Sequence, residues 1–536
     1  MQDTSQVRNF MRGAFLITLA QLVTKILGAI HRPVSQTLIG DHGLALATPP
    51  SNAYYIILAL SSVGLNVAIS RLIAERLALQ DLRGARRVFR VAANMLLISG
   101  AVFSVLFALG AHQMANFVGM PEAWPGFMVL SPALFFVAVL SLLRGLYQGM
   151  QHMAPSASSQ VVEQVVRVSV SLALMAFLVR ISLNYGAAAF NSGNTVGIFT
   201  AMLYLGWVTL RRSPMAGWTT VAEGVESYEH ASAASLIGKI LAIALPLALI
   251  GVVAPFMSLL DAAIVTHRLM SLGVATKAAQ EAVAYLANAA TLRDLPSILT
   301  TALYISLVPA IAESYATGKL EQARYRAATA FRVTFILALP VTVGLLVGAK
   351  DVYSILFFGP GWVVMGPLAW STLFLMVQQT SSGTLQGMGR VWLSVQNLLV
   401  GVIVKVALTY WWTGLPGLQA KGAAYATGVG YAVAMVLNLW TLKRDLGLSV
   451  NWKGDVLRPA LASLLMGVVI WGASPVAHRF LHQARLAGAV VVVAGGVVYA
   501  AALLLIGGLT ESDLGLVPGV RPGMIKLLKR YRLLRN

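Results

Sequence analysis

The chain contains no cysteine. That excludes disulfides, thiolate metal sites and cysteine nucleophiles. Charge is scarce as well: 11% of the 536 residues are Asp, Glu, Lys or Arg, against about 25% in a soluble domain. Acids are the rarer sign, 19 against 39 basic residues. No Walker loop occurs, which argues against direct ATP coupling. No Asp-x-Asp occurs, as a metal-dependent glycosyltransferase would want. Glu511 and Asp513 come nearest and read as a solvated turn. The one His-x-x-x-His pair, His478 and His482, has no intervening glutamate and no third ligand nearby. A solvated loop fits it better than a zinc site. These absences argue against an enzyme, and no cofactor or metal is expected.

What remains is apolar. Hydrophobic residues make up 58% of the chain and the mean hydropathy is +0.76. A spanning helix needs about 20 apolar residues. The expected fold is an all-α polytopic membrane protein with about fourteen transmembrane helices. The spans read 13–31, 53–70, 88–112, 126–147, 157–180, 194–211, 236–258, 283–309, 328–349, 363–388, 391–412, 422–441, 456–476 and 486–508. The stretch 260–282 is ambiguous, apolar first and then polar around His267, Arg268 and Lys277. Net charge is +20. In a membrane chain that charge belongs to cytoplasmic loops and anionic headgroups, so no nucleic acid is expected.

The chain repeats itself. Leu146-Tyr147-Gln148-Gly149-Met150 returns as Leu385-Gln386-Gly387-Met388, an offset of 238 between Gly149 and Gly387. Ile73-Ala74-Glu75 maps on Ile311-Ala312-Glu313, Ser156 on Ser394 and Arg167 on Lys405 at the same offset. Phe89-Arg90-Val91 matches Phe331-Arg332-Val333 at 242, which reads as a four-residue insertion later recovered. Such doubling is the signature of transporters with two equivalent lobes. The expected division is a six-helix lobe 1–212, a linker 213–235, a second six-helix lobe 236–445, and two further helices with a basic tail, 446–536. The linker carries Glu223, Glu226 and Glu229 and suits a connector or an amphipathic helix.

Basic residues set the orientation. Arg8 and Arg12 precede the first span, and Arg71, Arg76, Arg83, Arg86, Arg87 and Arg90 crowd the connection after the second. Arg211, Arg212, Lys319, Arg324, Lys443, Arg444 and the tail residues Arg521 to Arg535 lie on the same side in this register. Both termini are therefore expected in the cytoplasm, in the plasma membrane. The first apolar run is interrupted by Lys25 and has no nearby cleavage site, so it reads as a span and not as a signal peptide.

Charge inside apolar segments marks the candidate site, because charge at bilayer depth is costly and usually faces a cavity or a partner. In the first span Thr18, Gln21, Lys25, Gly28 and Arg32 share one helical face. That face either lines water or lets Arg32 snorkel to the interface while Lys25 pairs with a neighbouring acid. In the fifth span Gln160, Glu163, Gln164, Arg167 and Ser171 share a face, with Glu163 four residues before Arg167, the favourable order for an ion pair. Such a pair serves either helix packing or transport. Lys405, the repeat partner of Arg167, has Gly401 where that acid would be. Asp261 ends an apolar run and reads either as a coupling-ion site or as a helix cap. Arg293 and Asp294 precede Leu295-Pro296, where the proline frees a carbonyl. Arg71 and Arg268 complete the set of candidate cations.

These residues resemble a known family. Arg144-Gly145-Leu146-Tyr147-Gln148-Gly149-Met150, Pro155, Ser159-Gln160, Glu163-Gln164 and Arg167-Val168 resemble the signature block of the stage V sporulation protein B family. So do Lys25-Ile26-Leu27-Gly28, Arg32-Pro33, Ile39-Gly40-Asp41, Val67-Ala68-Ile69-Ser70, Leu307-Val308-Pro309-Ala310-Ile311 and Asn397-Leu398-Leu399. The group is similar to MurJ-type flippases and belongs to the multidrug/oligosaccharidyl-lipid/polysaccharide exporter superfamily. The resemblance implies two six-helix lobes plus a terminal pair, and outward movement of the peptidoglycan precursor lipid II or another polyprenyl-pyrophosphate-linked glycan. Three places depart from the group: Gly64-Leu65-Asn66 stands where a Gly-Ile-Pro is usual, Thr291 stands where an arginine precedes the Leu-Pro of the eighth helix, and the segment from His42 to Pro50 is unlike the group's usual aromatic run. On this reading Lys25, Arg32, Arg71, Arg268 and Lys405 contact substrate, and Glu163, Arg167, Asp261 and Arg293 pair or gate. A coupling ion or the membrane potential supplies the energy. A drug or organic-cation antiporter of the same superfamily is the rival; its cavity should carry acids. A glycan polymerase or ligase would need catalytic acids or a sizeable outer loop.

Overall fold

Gly40 decides where the chain first turns back. The opening helix α1 (Gln2–Leu58) has 57 residues. At 1.5 Å per residue that is about 86 Å, nearly three times the apolar thickness of a bilayer. Gly40 breaks it at φ +67°, ψ −176°, a conformation open to a residue without Cβ. The computed structural model describes residues 2–222, 227–448, 451–481 and 483–508; within its helices the side chains of residues 2–22, 25, 62, 63, 302 and 305 lie outside that description.

By internal contacts the chain forms two units, residues 1–267 with 275–284, and residues 268–274 with 285–536. In the first, α1 continues through a π-helical turn (Ala59–Leu65) into α2 (Asn66–Ala78). Then come α3 (Leu82–Leu109), the short α4 (Ala111–Phe117), α5 (Trp124–Gly149), α6 (Met153–Leu178), α7 (Leu183–Arg212) and α8 (Ala233–Ser271). Its core gathers Leu44, Tyr54, Phe127, Leu130 and Tyr147, all nearly inaccessible.

The helix α9 (Thr276–Asp294) leads into the second unit, followed by α10 (Ser297–Ala316), α11 (Leu320–Val347), α12 (Ala349–Leu356), α13 (Trp362–Ala369) and α14 (Ser371–Gly387). Next are α15 (Val391–Thr413), α16 (Ala420–Leu446), α17 (Arg458–Phe480) and α18 (Ala484–Leu505). The ambiguous stretch 260–282 resolves into the end of α8 and the start of α9. The span expected over 283–309 is split between α9 and α10 at Leu295-Pro296. Proline lacks the N–H that would continue the ladder, and it disfavours α geometry in the residue before it.

Among the described residues twelve helical stretches are long and apolar enough to cross a membrane. One of them, Ile26–Ala78, runs across the Gly40 break and so counts as two passes. The interrupted pair α13–α14 adds another. The fold is all-α, with the fourteen-pass pattern read from the spans.

The repeat is visible in the element bounds. Adding 238 turns α3 (82 and 109) into α11 (320 and 347), and the α5 bounds (124 and 149) into those of α13–α14 (362 and 387). It holds for contacts as well: a Cβ on Gly149 would stand 2.9 Å from Ser70 O and 2.9 Å from Ile73 Cβ, and one on Gly387 would stand 2.8 Å from Val308 O and 2.7 Å from Ile311 Cβ. The four-residue insertion expected from Phe89 and Phe331 is absent. Both α3 and α11 have 28 residues, so Phe331 is not the register equivalent of Phe89.

The connection after α7 is a strap. Leu82 N donates to Thr220 O at 3.0 Å, Arg83 Nε to Thr219 O at 2.6 Å, and Asp81 and Val221 form an isolated antiparallel bridge. The amphipathic helix weighed for 213–235 does not form among the described residues; a single 3-10 turn, Tyr228–His230, occurs instead. Glu223 and Glu226 lie outside the described residues.

Candidate functional site

A polar seam runs through the first unit. On α1, Gly28, His31, Arg32 and Ser35 share a face by their spacing of three and four. Beyond the Gly40 break Thr48, Ser51 and Tyr55 do the same. On α6 the set is Ser159, Glu163, Gln164, Arg167 and Ser171, and on α7 it is Asn191 and Asn194. The helices approach closely through small residues: a Cβ on Gly193 would stand 2.3 Å from Arg167 O, and one on Gly197 2.6 Å from Glu163 O. In a bilayer, packing of this kind replaces the hydrophobic drive.

Arg32 donates from Nη2 to Thr48 Oγ1 at 3.0 Å, linking the two halves of α1 across the break. Gln36 Nε2 donates to Asp41 Oδ1 at 2.6 Å over the same break. His31 is buried, with Nε2 2.9 Å from Ser171 Oγ and its ring 4.7 Å from that of Phe190. Ser171 donates its own hydrogen to Phe190 O at 3.2 Å, so His31 Nε2 carries the N–H in this pair. Ser51 donates to Asn191 Oδ1 at 2.7 Å, and Asn191 Nδ2 donates back to Ala47 O at 3.1 Å.

The expected Glu163–Arg167 pair is replaced. Glu163 Oε2 accepts from Arg144 Nη2 at 2.8 Å, and Arg144 Nε donates to Ser159 Oγ at 2.9 Å. Helical spacing made Arg167 the near neighbour, but α5 presents a guanidinium to the same carboxylate from across the helix interface. Arg167 turns instead to Tyr55 OH at 3.5 Å and Asn194 Oδ1 at 3.4 Å, both long contacts. Its Nε and the Nε2 of the buried Gln164 are buried atoms without a hydrogen-bond partner among the described residues. Gly28 faces them: a Cβ there would lie 3.5 Å from Arg167 Nη2 and 3.7 Å from Gln164 Nε2. Any larger side chain would fill that gap. The seam thus holds a guanidinium with spare donors, which is chemistry suited to an oxyanion.

The other candidates are dispersed. The side chain of Lys25 lies outside the described residues, as do those of Thr18 and Gln21. Arg71 is exposed on α2. Arg268 donates from Nε to Tyr410 O at 3.2 Å and lies over the Tyr410 ring at 4.5 Å, in the second unit. Arg293 is buried and pairs with Asp294 at 2.8 Å. Asp261 is half-buried and engaged by neighbours.

Lys405 is 2% exposed and also has a partner. On its helix, Asn397 Nδ2 donates to Asn438 Oδ1 at 2.9 Å, and Asn438 Nδ2 donates to Ser381 Oγ at 3.0 Å and Ser382 Oγ at 3.1 Å. His478 pairs with Asp351 at 2.7 Å, while His482 lies outside the described residues. Among the described residues no three His, Cys, Asp or Glu side chains gather as a metal site. Sequence reasoning singled out neither His31 nor Asn191 and Asn194 as site residues. Their uncharged polar side chains stand out in an apolar helix, but only the packing of α1 on α6 and α7 says what they meet.

Known proteins share this architecture. Stage V sporulation protein B of Bacillus subtilis (strain 168) is 26% identical over 485 residues, covering 87% of this chain and 91% of that one. The protein described as lipid II flippase MurJ of the same organism is 25% identical over 486 residues, covering 86% and 87%. A solved structure of lipid II flippase MurJ in an inward closed conformation superposes with a TM-score of 0.67 at 15% identity, covering 91% of this chain and 98% of that one. That likeness speaks for the fold. The family model described as polysaccharide biosynthesis protein matches residues 10–315. With more than half of its length matched, a multi-pass membrane fold and a repeat carried through both units, the chain belongs to the polysaccharide biosynthesis protein family.

Proposed function

We propose that this protein is a flippase for a lipid-linked oligosaccharide, with lipid II as the leading substrate, moving the polar head from the inner to the outer leaflet by alternating access. The observation that carries the reading is the cationic seam of Arg32 and Arg167 inside apolar helices, with Arg167 Nε lacking a hydrogen-bond partner among the described residues. The polyprenyl-linked substrate class comes from the relatives described as lipid II flippase MurJ.

Lipid II carries a pyrophosphate between a glycan head and a polyprenyl tail. Its head needs a polar path with positive charge, while the tail stays in lipid. Arg32 and Lys25 lie seven residues apart on one helix, about 10 Å along its axis. They act as successive stations for the pyrophosphate, and Arg167 faces the space left by Gly28. Arg71, Arg268 and Lys405 are secondary cations, and Asp261 and Arg293 serve gating or coupling. Residues 1–212 and 236–445 are the two moving lobes, 213–235 the connector, and 446–536 the terminal pair and tail. Both termini face the cytoplasm, where the positive-inside rule puts the basic connections. No covalent bond is made or broken. Each charge moved through the membrane potential supplies about 2.3 kcal/mol per 100 mV, with a proton or sodium ion as the alternative source.

The test is lipid II translocation in cells depleted of their native flippase. Wild-type protein restores outward movement, and Arg32→Ala/Arg167→Ala does not. Failure of the wild type, with another polyprenyl-linked glycan accumulating inside cells that lack this protein, assigns the substrate elsewhere in the class. A drug-resistance phenotype on overexpression, without glycan movement, favours the organic-cation antiporter.

A further inference from the structure

A cavity of about 460 Å³ opens where α11 runs into α12 and where α17 turns into α18. Three helices apolar enough to span a membrane end or begin at this level: α11 at Val347, α17 at Phe480 and α18 at Ala484. The cavity therefore lies at a membrane boundary, outside the apolar slab.

Its lining combines two chemistries. Lys350 and Arg485 are exposed at its rim, and no carboxylate lines it. Among the described residues neither takes part in an ion pair. The nearby acid Asp351 is 3% exposed, is not part of the lining and shares a hydrogen bond with His478 at 2.7 Å. Ser354 and Gln483 add neutral hydrogen-bonding groups. The rest is mostly aromatic, Tyr353, Phe357, Phe358 and Trp362, with Gly359 and Ala484 between them. Phe358 and Trp362 are 44% and 41% exposed, and the Arg485 guanidinium lies 4.7 Å over the Phe358 ring.

The walls are fastened together. The His478–Asp351 pair ties α17 to α12. Ser354 Oγ donates to Ala484 O at 3.4 Å, and a Cβ on Gly488 would stand 2.5 Å from Asp351 O, so α18 also seats directly on α12. Tyr353, in the lining, is buried and accepts from Asn288 Nδ2 at 3.3 Å.

We infer that this cavity binds the phosphate headgroup of a lipid. Two unpaired cations call for an anion, and a phosphate ester supplies one with several acceptor oxygens. Exposed aromatics at the end of spanning helices favour the headgroup level of a bilayer, where an amphiphile presents charge and chain together. A neutral headgroup would leave the rim charge unmatched. A soluble anion would leave the aromatic floor in water. The site lies in the second unit and stands independently of the transport reading.

The experiment uses purified full-length protein, with retained lipid read by native mass spectrometry. Wild-type protein is expected to hold phosphatidylglycerol in preference to phosphatidylcholine. Lys350→Ala/Arg485→Ala, whose side chains are exposed and whose fold is checked by thermal unfolding, is expected to bind it about thirtyfold more weakly, each basic residue near the anionic headgroup being worth about fivefold. Trp362→Ala tests the aromatic floor and is expected to weaken retention further. Competition with a polyprenyl phosphate separates two sources of the same chemistry: strong displacement marks the polyprenyl lipid as occupant, weak displacement the bulk phospholipid. Equal retention by the wild type and the folded double variant overturns the site. Displacement of all lipid by millimolar inorganic phosphate overturns it too, since the cavity would then be an anion site without lipid selectivity.

Discussion

Arg144 on α5 and Glu163 on α6 meet at 2.8 Å, joining two helices of the first unit through a charge pair that is largely shielded from solvent. Breaking such a pair from one side leaves an uncompensated buried charge at a cost of about 3–5 kcal/mol. Glu163→Ala and Arg144→Ala are each expected to lower the yield of folded protein and its unfolding temperature. Arg144→Ala/Glu163→Ala is expected to lose less than the two single losses combined, because the partners are coupled. Thermal unfolding of the four proteins in detergent checks this. Strict additivity would show that the pair contributes nothing as a pair.

Arg167 should behave differently. Its contacts to Tyr55 and Asn194 are long, 3.5 and 3.4 Å. Arg167→Ala is expected to accumulate as folded protein and to lose glycan translocation. Lys25→Ala and Arg32→Ala are each expected to abolish complementation with membrane levels intact. Arg32→Lys should recover only part of the activity, because an ammonium lacks the planar fork of the guanidinium. Near-normal flipping by Lys25→Ala/Arg32→Ala would remove the first-helix stations.

The strap gives a pH-dependent prediction. Asp81 is buried, which works to raise its pKa. Hydrogen bonds from Ser227 Oγ (2.6 Å), Tyr228 N (2.9 Å) and Gly84 N (2.9 Å), together with the Arg76 charge, outweigh burial and hold it below the usual carboxylate range. A carboxyl whose pKa is depressed on folding stabilises the folded form above its unfolded pKa, and that contribution disappears as pH falls through the folded value. Docking of the strap is therefore constant around neutrality and weakens only in acid. Limited proteolysis at 213–235 should stay low from pH 6 to 8, rise under acid with an acid-stable protease, and be high at neutral pH in Asp81→Ala. Equal cleavage of wild type and Asp81→Ala at neutral pH would mean that the carboxylate does not hold the strap.

Three glycines test the packing. A Cβ at Gly149 or Gly387 would stand 2.9 or 2.8 Å from the carbonyl oxygen of Ser70 or Val308. Backbone cannot yield as a flexible side chain would, so Gly149→Ala and Gly387→Ala should each cost about 1–3 kcal/mol. Gly206, within α7, has open space where its Cβ would be. Gly206→Ala should gain up to about 1 kcal/mol from helix propensity. Unfolding temperatures that move the same way in all three would contradict this assignment of close approach.

The sequence by itself determined the class, the spans and the repeat. Apolar run lengths and the 238-residue offset are local or self-referential properties, and bilayer thickness turns them into helices; the break at Leu295-Pro296 inside the expected span 283–309 was decided by the structure. Helical spacing also put Glu163, Gln164, Arg167 and Ser171 on one face of α6. Tertiary structure alone decided what that face meets. Arg144 reaches Glu163 from another helix, His31 finds Ser171 140 residues away, and the strap returns Tyr228 to Asp81 across 147. Periodicity encodes which side chains share a face. It does not encode which neighbour covers that face, because that follows from the closest approach of whole helices at small residues such as Gly193 and Gly197.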